Sequence, residues 1–95
     1  MISGTFTIEV RCLAQSRDLA DRFKVRVSKY IFNLDPDYSI EFRQFSGLFY
    51  IFTWAGIPLD LGSAQNLFKF LNTQTVKYLS SYKLTIKIHL FEKGI

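Results

Sequence analysis

The hydrophobic period of this chain switches between two and about 3.6 residues in a fixed order, and that order restricts the fold more than any motif does. Phe6, Ile8, Val10 and Cys12 alternate with Thr5, Thr7, Glu9 and Arg11, which predicts a half-buried strand. From Ser16 the spacing becomes helical: Leu19, Ala20, Phe23, Val27, Tyr30 and Ile31 share one stripe, Ser16 can act as N-cap, and Asp18 and Asp21 suit the first turns. Asp35-Pro36-Asp37 ends that helix, because proline bars its predecessor from the helical region. A second strand carries Tyr38, Ile40 and Phe42 on one face and Ser39, Glu41 and Arg43 on the other. Ser46-Gly47 provides a turn, and the stretch SGLFYIFTWAG gives a third strand that ends at Gly56-Ile57-Pro58.

The second helix is expected from Ser63, with Ala64, Leu67, Phe68, Leu71, Thr75, Tyr78 and Leu79 on its apolar face. Asn72 to Thr75 are poor helix formers in its middle. Leu84, Ile86, Ile88 and Leu90 then alternate with Lys83, Thr85, Lys87 and His89 as a fourth strand. The order βαββαβ with short connections predicts an α+β, ferredoxin-like fold, with two helices on one face of a four-stranded antiparallel sheet ordered 4-1-3-2. Residues 1–95 make a single domain, since a chain of 95 residues buries only roughly two-thirds of its unfolded surface and has no core to spare for a second.

The third strand is apolar on both faces, and its register decides which face meets the helices. A two-residue loop at Ser46-Gly47 puts Phe42 opposite Ile51 and Arg43 opposite Tyr50, leaving Tyr50, Phe52 and Trp54 on the open face of the sheet. A loop longer by one residue turns those rings into the core and leaves Phe49 and Ile51 outside. The first arrangement is favoured, because Phe42 and Ile40 then share the core with the smaller Ile51 and Thr53.

Aromatic side chains in mid-sheet are how RNA-recognition-motif domains stack bases. Here Gly47, Tyr50 and Ile51 fit that third-strand motif, whereas Ser46, Leu48 and Phe49 depart from it. Glu9 also stands where the first strand would carry a stacking ring. The resemblance is one of fold.

Composition limits function. With 48% hydrophobic and 21% charged residues the chain is an ordinary globular protein rather than a disordered one. The uncharged run from Gln44 to Leu59 is broken by Ser, Thr, Gly and Pro and is shorter than the roughly 20 residues of a membrane helix. No secretory signal begins the sequence, and one cysteine allows no internal disulfide, so a cytoplasmic location is expected.

Cys12 and His89 are the only Cys/His pair, and strand parity puts them on opposite faces, so neither a catalytic dyad nor a metal site is expected. No cofactor is implied. Arg22, Arg26 and Lys29 form a basic stripe on the first helix, a candidate nucleic-acid contact, discounted by Asp18 within pairing reach of Arg22 and Asp21 within reach of Lys24. The open face mixes Glu9 and Glu41 with Arg11, Arg43 and Lys87, which suits a protein partner better than a polyanion track.

The expectation is a non-catalytic protein-binding or regulatory domain. It would self-associate or bind a partner through Tyr50, Phe52 and Trp54, ringed by Arg11, Arg43 and Lys87. The alternative is a single-stranded RNA or DNA binder that stacks bases on the same rings.

Overall fold

A computed structural model describes residues 2–34, 39–58 and 61–92. The elements are β1 (Ile2–Leu13), α1 (Arg17–Leu34), β2 (Ser39–Ser46), β3 (Phe49–Pro58), α2 (Leu61–Tyr78) and β4 (Ser81–Glu92). The strands form one antiparallel sheet in the order β2-β3-β1-β4, with both helices on one face. The Asp35-Pro36-Asp37 turn expected after α1 lies outside the described residues.

Helix α1 forms as its periodicity requires. Ser16 Oγ accepts the Leu19 amide at 3.2 Å and so satisfies one of the unpaired first-turn donors. Ala20, Phe23, Val27 and Ile31 face the sheet and are wholly buried. Helix α2 starts at Leu61, two residues before the expected Ser63, and buries Leu67, Leu71, Thr75 and Tyr78. Its threonine-rich middle stays helical because burial of Leu71, Thr75 and Tyr78 outweighs local propensity, and its hydroxyls are satisfied within the helix: Thr73 Oγ1 donates to the Lys69 carbonyl at 3.1 Å and Thr75 Oγ1 to the Asn72 carbonyl at 2.9 Å. Ser80 then ties the start of β4 to the end of β1, both its amide and its hydroxyl donating to the Leu13 carbonyl at 2.9 Å.

The register of β3 corrects the sequence-based expectation. Phe42 lies opposite Phe52, Arg43 opposite Ile51 and Gln44 opposite Tyr50. Tyr50, Phe52 and Trp54 therefore face the helices and are 0% exposed. The turn is formed by Gly47 and Leu48, one residue later than expected, with Gly47 at φ 54°. Glycine at the first central position with a positive φ suits the twist of a tight hairpin. Ser46 pairs with Phe49, so Phe45 is the extra residue of a bulge, which shifts all later pairs by one.

Energy explains the choice. Burying Tyr, Phe and Trp in place of Phe49, Ile51 and Thr53 gains roughly 2–4 kcal/mol of apolar transfer. A second irregularity sets Ala55 and Gly56 opposite Thr7 alone, with Gly56 at φ 77°, and keeps Ile57 in the core at 1% exposure.

The three rings form a ladder, with Tyr50 and Phe52 centroids 5.9 Å apart and Phe52 and Trp54 5.8 Å apart. Phe23 of α1 meets Trp54 edge-on at 6.1 Å, and Trp54 Nε1 donates to Ser28 Oγ at 3.0 Å. Ile40 and Phe42 do lie on the core side as expected, but the edge position of β2 leaves them 45% and 40% exposed. Lys24 sits over the Phe42 ring at 4.9 Å.

The Tyr50 hydroxyl is buried without a hydrogen-bond partner among the described residues. Since an unpaired buried donor costs free energy that phenylalanine would not incur, Tyr50→Phe is expected to raise stability by about 1 kcal/mol, read as a higher melting temperature. A fall in melting temperature would mean that the hydroxyl is bonded in solution.

Candidate functional site: the open sheet face

With its rings turned inward, the open face is built from the other parity of each strand. Cross-strand pairing sets Glu9 and Glu41 on either side of Thr53, and Arg11 and Arg43 on either side of Ile51. On β4, Thr85 continues the first line beside Glu9 and Lys83 the second beside Arg11. Two rows therefore run across the strands: an acidic row, Thr85-Glu9-Thr53-Glu41, and next to it a basic row, Lys83-Arg11-Ile51-Arg43.

Each strand links its own pair. Arg11 Nε donates to Glu9 Oε1 at 2.8 Å and Arg43 Nε to Glu41 Oε1 at 2.6 Å. Together with Ile51 and Thr53 these four side chains enclose a depression of about 310 Å³. Exposed pairs of this kind are worth about 0–1 kcal/mol, so they can exchange partners cheaply.

The structure thus separates the proposed partner-binding residues. Arg11, Arg43 and Lys87 lie exposed on the open face, whereas Tyr50, Phe52 and Trp54 lie in the core. The rings offer no face to a protein or to a base, which removes the stacking platform on which nucleic-acid binding was expected to rest. The apolar part of the open face comes instead from Ile51 and Phe49, both half-buried, and from Leu13 at 45% exposure.

The helical cations lie on the other side of the molecule. Arg22 pairs with Asp18 at 3.0 Å, and Lys29 is exposed. Arg26 Nε donates to the Tyr78 hydroxyl at 3.4 Å, joining α1 to α2. That hydrogen bond, with Lys77 close by, holds the Tyr78 phenol below its ordinary pKa. Arg26 therefore serves helix packing as well as surface charge.

Cys12 is buried on the core side of β1, and loss of hydration pushes its thiol up to about 11. His89 lies on the open face, its Nε2 3.4 Å from Thr7 Oγ1, and pairs across the strands with Thr5. From Thr5 to Cys12 the strand runs roughly 24 Å at about 3.4 Å per residue, so thiol and imidazole are separated by length as well as by face.

Sequence reasoning did not reach one further feature. Ile86, Ile88 and Leu90 have the expected core-side parity, but β4 is an edge strand and they stand 37%, 60% and 61% exposed. No helix among the described residues is long and apolar enough to cross a membrane.

No protein family matches the chain by sequence, and no curated protein does. Solved structures do match. The de novo designed protein Foldit4 superposes with a TM-score of 0.57 at 13% identity, over 95% of this chain and 99% of its own. The NE2512 protein of unknown function from Nitrosomonas europaea gives 0.53 at 18% identity, over 97% and 93%. A de novo designed protein with ferredoxin fold gives 0.50 at 14% identity, over 95% and 88%. At these identities the likeness concerns architecture alone: the chain has the ferredoxin-like α+β fold, with its sheet in the order 4-1-3-2.

Proposed function

We propose that this chain is a small, non-catalytic, cytoplasmic protein-binding domain that works through its open sheet face, and that its partner there is a second copy of itself. The observation that carries this reading is the pair of adjacent rows of opposite charge. Consider a two-fold axis lying between two facing sheets and running along the rows. Rotation about it reverses direction along the strands and preserves position across them. The acidic row of each copy then faces the basic row of the other, Glu9 over Arg11, Glu41 over Arg43 and Thr53 over Ile51. Such a contact is isologous, as closed dimers require. The ion pairs within each strand exchange for pairs between copies at little cost, and the half-buried Ile51 supplies an apolar centre, with Phe49 further out along β3. Lys87 falls at the rim, where charge sets orientation more than affinity.

Charge reversal tests this directly. The double substitution Arg11→Glu with Arg43→Glu makes the face uniformly acidic at these positions, and Glu9→Arg with Glu41→Arg makes it uniformly basic. Each variant alone is expected to sediment as a monomer at concentrations where the unaltered chain is a dimer. An equimolar mixture of the two is expected to recover a dimer, because their faces are again complementary. A monomeric unaltered chain, or two reversed variants that both stay dimeric, would overturn the reading.

A further inference from the structure

We infer that the outer edge of β4 is a strand-addition site for an extended peptide segment in which apolar and acidic residues alternate. This inference does not rest on the open-face contact, because an added strand prolongs the sheet in its own plane and leaves that face uncovered.

β4 is a terminal strand of 12 residues, and no described strand lies beyond it. Its side chains sort by face. On the helix side Ile86, Ile88 and Leu90 form a continuous apolar line at 37%, 60% and 61% exposure, beyond the edge of the buried core. Ile88 lies opposite Phe6 and Ile86 opposite Ile8, so a ligand's apolar side chains on that side would carry the core rows Ile8-Ile86 and Phe6-Ile88 one strand outward. On the other side Lys83, Lys87 and His89 are exposed, and the strand holds no acid before Glu92. The ligand read from this edge is thus apolar toward the helices and anionic toward the open face, with one change of character at every residue.

Charge also selects among occupants. A second β4 would bring two cationic strands side by side, the arrangement by which natural edges resist self-pairing. An acidic strand meets the same lysines as partners. The opposite edge is less suited: β2 has 8 residues, its Glu41 and Arg43 already neutralise each other, and Lys24 covers Phe42.

The probe is a short synthetic peptide alternating Glu and Val, blocked at both ends and labelled for fluorescence anisotropy. Saturable binding to the full chain is expected, weakened about tenfold or more by Lys83→Glu with Lys87→Glu. Ile88, being exposed, can be changed to Asp without opening the core, and Ile88→Asp is expected to weaken binding as well.

Backbone pairing is read separately with two peptides N-methylated at alternate residues. Only one set of amides points at β4, so one peptide should lose binding and the other keep it. No binding by the parent peptide, binding indifferent to both substitutions, or equal behaviour of the two methylated peptides would each overturn the inference. So would a self-dimer that Ile88→Asp dissociates and the open-face reversals leave intact, since the edge would then belong to a second copy.

Discussion

Trp54→Ala is expected to lower the stability of the domain by about 3–5 kcal/mol, the range for deleting a large buried ring. Trp54 is 0% exposed, stacks on Phe52 and meets Phe23 edge-on, so truncation leaves a cavity bounded by rings already fixed by other contacts. It also takes from Ser28 Oγ the donor now 3.0 Å away. Because a domain of this size has about 5–15 kcal/mol in total, the loss is a large fraction of its stability.

Urea unfolding followed by circular dichroism measures the loss without needing the indole. Trp54→Phe separates the two contributions: it keeps most of the ring burial, loses the hydrogen bond, and is expected to cost about 1–2 kcal/mol. In the unaltered chain the same burial predicts blue-shifted Trp54 emission that iodide does not quench. Had the strand adopted the other register, Trp54 would be a surface residue and its replacement would cost about 0.5 kcal/mol or less. An effect of that size would refute the inward placement of the ring ladder.

Gly4→Ala is expected to cost about 1–3 kcal/mol although it adds one methyl group. A Cβ at Gly4 would run into the carbonyl oxygen of His89 and lie 3.2 Å from Leu90 Cδ2. The obstacle is backbone on a paired strand, which can yield only if β1 and β4 separate locally. Glycine inside a strand marks such a close approach. Gly47 differs in kind, because a Cβ there meets open space and the penalty comes from its positive φ, about 1–2 kcal/mol. Thermal melts rank the two variants, and amide exchange locates the damage: Gly4→Ala should loosen the β4 amides around His89, whereas Gly47→Ala should loosen the β2–β3 hairpin. A neutral Gly4→Ala would mean that the strands have room the structure denies.

The proposed sheet-face contact and the inferred edge site would place different demands on the same strands. Arg11 and Arg43 are rooted in central β1 and edge β2, with Ile51 of β3 between them, so pairing on several sides holds the two rows in register. Among the described residues β4 is paired on one side only, as the inferred strand addition requires. The fold thus offers a rigid plate and an open edge, and the charge pattern differs between them: balanced on the plate, cationic on the edge.

Much of this architecture could be read from periodicity. Phe6, Ile8, Val10 and Cys12 on β1, and Ala20, Phe23, Val27 and Ile31 on α1, are buried as their spacing predicts, and Ser16 caps the helix as its position suggests. Two Glu-x-Arg triplets, Glu9-Val10-Arg11 and Glu41-Phe42-Arg43, are also visible in the chain, and their alternation implies an ion pair on one face of each strand. Periodicity is a property of one element, and burial of an element's own stripe depends on little else.

What needed the tertiary structure were relations between elements. The outward side of β3 turned on one bulge at Phe45, because strand side chains repeat every two residues and a slip of one exchanges the faces. Phe49-Ile51-Thr53 and Tyr50-Phe52-Trp54 are both apolar enough to read as core, so only competition for the helices could separate them. The alignment of the two Glu-x-Arg triplets into rows required that β1 and β2 flank β3 in matching register, and the exposure of Ile86, Ile88 and Leu90 required that β4 lie at the sheet edge. Local pattern thus established which residues form each strand and helix, while pairing and packing between them decided which surfaces were left exposed.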